Sequence, residues 1–215
     1  MSELKLILLA DETRRKDFLR KSVPGKYGVV SVTDPADIFN YPDAKGIFIL
    51  KEFEPRFTNL LTASLHSPVF INSINATFDR NLLKTCWVRV NSWPGFFCNP
   101  VLEISSPLTN IDAAEILLDE LGWPFKRVAD QPGMFTPRVI AMIINEACFA
   151  IQDKVSTKAE IDIAMKLGTN YPFGPFEWAQ RIGTQNIYSL LVTLSKTDKR
   201  YQPARDLVNI LQSPG

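Results

Sequence analysis

The sequence predicts an α/β unit with a mostly parallel sheet, followed by an all-α unit, and three observations support this prediction. Short apolar runs alternate with helical patterns through the first 130 residues, as expected where helices cover both faces of a parallel sheet. After Pro132 and Gly133 only helical periodicity remains. The hydrophobic content of 46% and the charged content of 22% are typical of a globular protein. We therefore divide the chain into domains 1–130 and 131–215.

The strands of the first domain are predicted from β-branched and aromatic runs that end at glycine, proline or charge. Helices are predicted over residues 13–22 and 55–65, and a third follows Asn110 and stops at Gly122. The predicted strands cover residues 4–10, 28–33, 46–50, 69–74, 86–90 and 101–105.

Helical signals continue through the whole second domain. Thr157 and Glu160 form a capping box that begins one helix, which we expect Gly168 to end. Pro175 suits the first turn of the next helix, which we expect Gly183 to end. A long helix precedes these two, with Ile140, Ile143, Ile144, Ala147 and Ile151 on one face, and two more follow over residues 184–196 and 204–211.

Composition excludes several classes of function. A balance of 24 basic against 23 acidic side chains gives no electrostatic footprint for nucleic acid or an anionic membrane. A single histidine excludes a multi-histidine metal site, and the three cysteines lack the spacing of a zinc or redox motif. The apolar run that begins at Leu4 is too short for a signal peptide or a membrane span. We therefore expect a cytoplasmic protein with reduced thiols and without metal, nucleic acid or membrane partners.

One long motif in the second domain carries a family resemblance. Residues 161–177 read Ile-Asp-x-Ala-Met-Lys-Leu-Gly-x-x-Tyr-Pro-x-Gly-Pro-Phe-Glu. This stretch resembles the C-terminal domain of the 3-hydroxyacyl-CoA dehydrogenases, and the resemblance is strong over residues 130–190 and weaker over 69–130. It implies a Rossmann-like first domain, shortened here, and a helical second domain like the C-terminal domain of 6-phosphogluconate dehydrogenase. It also implies NAD as cofactor, a 3-hydroxyacyl-CoA substrate from fatty acid metabolism, and a homodimer formed by the helical domain.

The family's reaction uses a histidine as general base and a glutamate that orients it. Glu103 matches that glutamate. Counting back by the family spacing places Asn91 at the histidine, whereas aligning the two phenylalanines at 96–97 places Gly95 there. Neither residue takes up a proton at neutral pH.

The family also uses a serine and an asparagine that bind the reacting oxygen. Asn75 is the best match for the serine, with Ser73 as the alternative, and Pro137 stands at the position of the asparagine. Proline has no side-chain donor to replace it. The single histidine, His66, precedes a predicted strand and does not align with the catalytic one. The resemblance therefore carries over one of four catalytic groups.

The cofactor end of the first domain also departs from the family. The family has a Gly-x-Gly-x-x-Gly turn after its first strand, where the backbone approaches a pyrophosphate. Here that strand runs directly into Asp11 and Glu12, and no glycine occurs before Gly25. Asp34 follows the second strand, at the expected place of the acid that binds the ribose. The stretch from Asp34 to Gly46 leaves room only for a loop where the family has a helical insertion.

These departures predict a catalytically degenerate family member, a pseudoenzyme that keeps a ligand-binding or dimerisation role, with an acyl-CoA as candidate ligand. Two alternatives stay open. One is an active NAD-dependent 3-hydroxybutyryl-CoA dehydrogenase with a rearranged site that uses Glu103 directly as base. The other is a dimer with a purely structural or assembly role.

Overall fold

The structure is a computed structural model that describes residues 3–52, 54, 57, 60 and 65–213. The chain divides into two compact units, Met1–Met134 and Phe135–Gly215. The first unit carries a sheet and the second is built from helices. The helix predicted over residues 55–65 falls mostly outside the described residues.

The first unit is built on a seven-stranded sheet with strands β1 (Leu4–Leu9), β2 (Tyr27–Val32), β3 (Gly46–Ile49), β4 (Val69–Asn72), β5 (Trp87–Val90), β6 (Leu102–Ser105) and β7 (Phe125–Arg127). Their order across the sheet is β2-β1-β3-β4-β5-β6-β7. Neighbouring strands are parallel except β5 and β6, which are antiparallel. The chain leaves β1 toward β2 and returns to β3 on the other side. A topological switch point therefore lies between the carboxyl ends of β1 and β3.

Two buried clusters lie on opposite faces of this sheet. One contains Phe18 of α1 (Glu12–Leu19) and Leu117 of α2 (Asp112–Leu121). The other contains Ile38 of the 3-10 helix Pro35–Asn40. Strand residues enter the two clusters alternately, as the pleat requires. The predicted α/β fold of the first domain is thereby confirmed, while β7 was missed because its Phe-Lys-Arg sequence has a single apolar residue.

The second unit contains α3 (Thr136–Gln152), α4 (Lys158–Thr169), α5 (Pro175–Ile182), α6 (Thr184–Ser195) and α7 (Leu207–Gln212). The predicted capping box of Thr157 and Glu160 is present at the start of α4. Gly168 does not end α4, which continues to Thr169 and stops where Asn170 adopts a φ of 55°. The last helix begins at Leu207, later than predicted. Within the described residues no helix is both long and apolar enough to cross a membrane.

Candidate functional site

The turn between β1 and α1 lies at the switch point, where folds of this type bind the phosphates of a ligand. Asp11 caps α1, and its carboxylate accepts a hydrogen bond from the Arg14 amide at 2.9 Å. Burial alone raises the pKa of this carboxyl, but hydrogen bonds from the Arg14 amide and guanidinium outweigh burial and hold the pKa below its usual value. A carboxylate of the chain itself therefore occupies the positive end of the helix.

Arg14 joins the carboxyl ends of three strands and is only 7% exposed. Its Nε donates to the carbonyl of Ser92, which follows β5, at 3.0 Å. Its two terminal nitrogens donate to Asp11, after β1, and to Glu52, after β3. The sequence held no signal for this network, because its members are up to 78 residues apart.

The loop after β5 is held against α1 and the core. Asp17 is 5% exposed, and its carboxylate accepts a hydrogen bond from the Gly95 amide at 2.6 Å. Gly95 has a φ of +86°, in the left-handed region that favours glycine. Trp93 and Phe97 are fully buried, and Phe97 stacks on Phe18 with their ring centroids 5.8 Å apart. Trp93 and Phe97 therefore belong to the buried core of the first unit.

The ladder between β5 and β6 places Asn91 next to Glu103. Val90 pairs with Ile104, so the next pair along this antiparallel register is Asn91 with Glu103. Asn91 is 5% exposed, and its side-chain oxygen accepts a backbone N–H two residues later at 3.1 Å. The family's base and its orienting glutamate must lie side by side. The register therefore places Asn91, rather than Gly95, opposite Glu103.

Arg89 shares the sheet face of Asn91 and Glu103 and was not singled out from the sequence. It is fully buried, with Nε donating to the Ser73 carbonyl at 2.8 Å and Nη1 to the Asp130 carboxylate at 2.6 Å. Burial lowers the pKa of the guanidinium, and the carboxylates of Asp130 and Glu103 oppose that shift. The available signal was a lone arginine within an apolar strand. Arg89 therefore links the carboxyl end of β4 to the segment around Asp130, which lies near the end of the first unit.

The structure does not gather the other predicted site residues into one cluster with Asn91 and Glu103. The side-chain oxygen of Asn75, in the loop after β4, is buried and has no hydrogen-bond partner among the described residues. The Ser73 hydroxyl donates to a backbone carbonyl three residues later at 2.8 Å. Asp34 is exposed after β2, where its carboxylate accepts the Ala36 N–H at 2.8 Å. Three strands separate β2 from β5 in the sheet.

Two further residues are placed away from any reacting group. His66 is exposed and precedes β4, at the amino-terminal edge of the sheet. Pro137 is buried in the first turn of α3, where a missing N–H costs no helical hydrogen bond. In the described part of the chain, no group of three or more histidine, cysteine, aspartate or glutamate side chains is arranged to hold a metal ion.

In the helical unit, the motif that carries the resemblance joins α4 to α5. The Asp162 carboxylate accepts the backbone N–H groups of Phe176 at 2.8 Å and Glu177 at 3.2 Å, in the first turn of α5. Glu177 in turn accepts the Gly174 N–H at 3.0 Å and the Lys166 Nζ at 2.5 Å. A Cβ at Gly174 would overlap the Asp162 carboxylate. At these positions the motif holds two helices in fixed contact.

Comparison with known proteins also distinguishes the helical unit from the rest of the chain. Residues 133–213 match the family model described as 3-hydroxyacyl-CoA dehydrogenase, C-terminal domain. A 3-hydroxyadipyl-CoA dehydrogenase of Escherichia coli (strain K12) is 40% identical over 109 residues, which are 48% of this chain and 23% of that protein. A 3-hydroxybutyryl-CoA dehydrogenase of Bradyrhizobium diazoefficiens is 30% identical over 175 residues, 76% of this chain and 60% of that protein. The matches thus span less than two thirds of each of these relatives.

Among solved structures, an (S)-3-hydroxybutyryl-CoA dehydrogenase from Ralstonia eutropha superposes with a TM-score of 0.79. The match covers 97% of this chain and 93% of that chain at 17% identity, which shows a common fold. The fold is thus a Rossmann-like α/β unit followed by a helical unit. The helical unit matches the C-terminal domain of the 3-hydroxyacyl-CoA dehydrogenases, and dehydrogenases of that family are similar to parts of the chain. The sequence-based prediction of the family is thereby confirmed.

The family is NAD-dependent, and the switch point is where the pyrophosphate of that cofactor would have to lie. Such a site needs free backbone N–H groups and a close approach, which glycine permits. Here Asp11 caps the helix, Glu52 adds a second carboxylate, and Arg14 is already paired with both. The residues present therefore do not fit a pyrophosphate at this position.

Proposed function

We propose that the chain is a 3-hydroxyacyl-CoA dehydrogenase-like protein that has lost NAD-dependent turnover and acts as a dimer formed by its helical unit. The observation that carries this proposal is the Arg14 network at the N-terminus of α1. Two carboxylates lie where a dianionic pyrophosphate must bind. Negative charges in close contact repel one another strongly in a partly buried site. The relatives' substrates, 3-hydroxyadipyl-CoA and 3-hydroxybutyryl-CoA, make an acyl-CoA thioester the candidate ligand.

The change at Asn91 supports the same conclusion independently. A positioned general base contributes about 10²–10⁴ in rate, and an amide cannot take its place. Glu103 is retained, but in the family its task is to orient a histidine.

The exposed face of α4 supports the dimer. Ile163 is 53% exposed and Leu167 is 82% exposed, four residues apart on one face of the helix. Every side chain of this helix remains at least partly accessible to solvent in the single chain. Large apolar side chains grouped on one helical face mark an interaction surface, and a second copy of the chain would cover it.

The test of lost turnover combines kinetics with binding. We expect no oxidation of NADH with acetoacetyl-CoA, and no heat when NAD or NADH is titrated into the protein calorimetrically. Titration of acetoacetyl-CoA in the same buffer tests the ligand separately. Turnover that Glu103→Gln abolishes would overturn the proposal and establish the rearranged dehydrogenase instead.

The dimer has its own test. We expect Leu167→Glu to lower the mass measured by light scattering, because it buries a charge in the interface. Ile116→Glu is the matched control, since Ile116 is an exposed apolar residue of α2, 59% exposed, in the other unit. An unchanged mass in Leu167→Glu would reject α4 as the dimer surface.

A further inference from the structure

Gly168 is a residue of the family motif that no contact inside the described chain explains. It does not end α4, which continues to Thr169, and its φ lies outside the left-handed region. A Cβ added at Gly168 meets no atom within 4 Å, whereas the same addition at Gly174 overlaps Asp162. Glycine inside a helix is less favourable than alanine, because it loses more conformational freedom on folding. The missing side chain therefore points to a contact outside the chain.

The exposed face of α4 consists of two neighbouring rows of residues, each with a spacing of four. The leucine row is Ala159, Ile163 and Leu167, and the glycine row is Glu160, Ala164 and Gly168. All six residues are exposed, whereas the residues between them, at 161–162 and 165–166, are half-buried. Rows of this spacing are the ridges through which helices pack. The face therefore presents a ridge of large side chains beside a row that ends in small ones.

The centre of this face carries no charge. Glu160 is the charged member of the two rows, and its carboxylate already accepts hydrogen bonds from the Ser156 and Thr157 hydroxyls, each at 2.8 Å. Lys166, beside the face, is already paired with Glu177. A partner that recognises charge therefore gains little here, whereas an apolar helix can cover the whole face.

We propose that two copies of the chain pack α4 against α4 about a twofold axis between Ala164 and Leu167. The leucine row of each copy then lies on the glycine row of the other, and Ile163 of each copy contacts Gly168 of the other. This inference rests on the dimer proposed above and adds its packing to it. Ridges of this spacing pack on one another at a crossing angle of about −50°.

The pairing of a large row with a small row selects a second copy of this helix. A twofold contact requires a self-complementary surface, and α4 carries both the ridge and the space that receives it. Packed helix axes lie about 8–10 Å apart, depending on the side chains at the contact. Ala164 and Gly168 permit the shorter separations. An apolar helix with large side chains in both rows would be held farther away, so Gly168 acts as a specificity-determining residue of the interface.

Gly168→Leu tests this packing most directly. The added side chain would meet Ile163 of the second copy at two symmetry-related places, so we expect association to weaken about a hundredfold or more. Gly168→Ala adds a single methyl group at each place and should weaken association less, by about tenfold. Thr169→Leu is the matched control, because Thr169 is exposed but belongs to neither row. The dissociation constants are compared by sedimentation over a wide concentration range.

The stability of the dilute, monomeric chain shows whether the Gly168 variants are correctly folded. Alanine and leucine both favour a helix more than glycine does. We therefore expect both variants to unfold at higher urea concentrations than the wild type when the chains are dilute. A weaker dimer made from a more stable monomer is the signature of a contact between copies. Monomers less stable than wild type in both variants would assign Gly168 a role inside the chain and overturn the proposal.

Cross-linking provides a measurement in which the expected result is a gain. Ala164 lies beside the proposed axis, so the Cα atoms of the two copies should lie within the roughly 7 Å that a disulfide spans. With diamide as the oxidant, which takes up the two thiol hydrogens, Ala164→Cys should form a covalent dimer on a denaturing gel. Thr169→Cys should not. The native Cys98 is half-buried and present in both variants, so it does not distinguish them.

The Leu167→Glu variant separates this packing from the dimer itself. If Leu167→Glu is monomeric while Gly168→Leu dimerises like the wild type, α4 is the dimer surface but the glycine row is not in the contact, and the packing is overturned. If both variants remain dimers, α4 is not the dimer surface, and the proposed dimer surface fails as well. Weakened association in both variants, with cross-linking of Ala164→Cys alone, supports the packing.

Discussion

In the helical unit the residues of the family motif connect helices, whereas in the α/β unit Asn91 and Arg14 belong to hydrogen-bond networks within the unit. Asp162 and Glu177 bind backbone N–H groups of the first turn of α5 and the residue before it. Asn91 binds its own loop, and Arg14 ties three strand ends together. The first set stabilises a local fold, and the second joins the carboxyl ends of strands and the loops that follow them.

This difference explains why similarity is concentrated in one unit. A residue that holds two helices in contact is required for folding whether or not the protein has a catalytic activity. A general base or a glycine turn is required only for turnover. The match over residues 133–213 therefore reports a shared helical scaffold, and it carries no information about Asn91, which lies outside the matched residues.

The largest expected effect tests whether the stability of the α/β unit depends on the buried Arg89–Asp130 pair. Arg89→Met removes the cationic partner of the Asp130 carboxylate and the hydrogen bond to the Ser73 carbonyl. We expect a loss of about 3–5 kcal/mol in the free energy of unfolding. Arg127→Met is the control, because the Arg127–Glu115 pair is partly exposed and should contribute less than about 1 kcal/mol. If urea denaturation shows equal losses of unfolding free energy for the two variants, the buried Arg89–Asp130 pair does not stabilise this unit more than an exposed pair does.

The next effect tests the packing role of the family motif. Gly174→Ala places a methyl group against the Asp162 carboxylate and should cost about 1–3 kcal/mol. Gly168→Ala, in the same motif, meets nothing within 4 Å and should stabilise α4 by roughly 0.5–1 kcal/mol. Thermal unfolding of the two variants should therefore shift in opposite directions. A shift of the same sign would show that the motif is not retained for this contact.

The smallest effect is a dependence of stability on pH in the helical unit. The hydrogen bond from Lys166, and then that from the Gly174 amide, hold the pKa of Glu177 below its ordinary value of 4.5. The unfolded chain therefore takes up this proton first as the pH falls. The contribution of Glu177 to stability is present above pH 4.5 and is lost as the pH falls through its lowered pKa.

Glu177→Gln should flatten this part of the stability profile, measured by denaturation in urea at a series of acidic pH values. Lys166→Met should flatten it partially, because it removes the first cause and leaves the amide hydrogen bond. Profiles that remain parallel to wild type in both variants would contradict the assigned cause.

Much of the fold could be predicted from local signals. The start of α4 was predicted correctly because Thr157 and Glu160 interact within one turn. The end of α4 was not, because Gly168 is compatible with a helix and Asn170 takes the left-handed conformation instead. β7 was missed for a similar reason, since its pairing with β6 rather than its own residues makes it a strand. Local chemistry determines caps, while pairing decides short edge strands.

The sequence by itself determined the fold class, the resemblance to a family, and the absence of a histidine and a glycine turn where that family has them. These properties depend on residue type and spacing along the chain. Only the tertiary structure decided the ion pairs and the strand order: Arg14 between Asp11 and Glu52, Arg89 beside Asp130, and β2 at the edge of the sheet. Ion pairs and strand order join residues that are distant in sequence, and the identity of a single residue does not specify its partner.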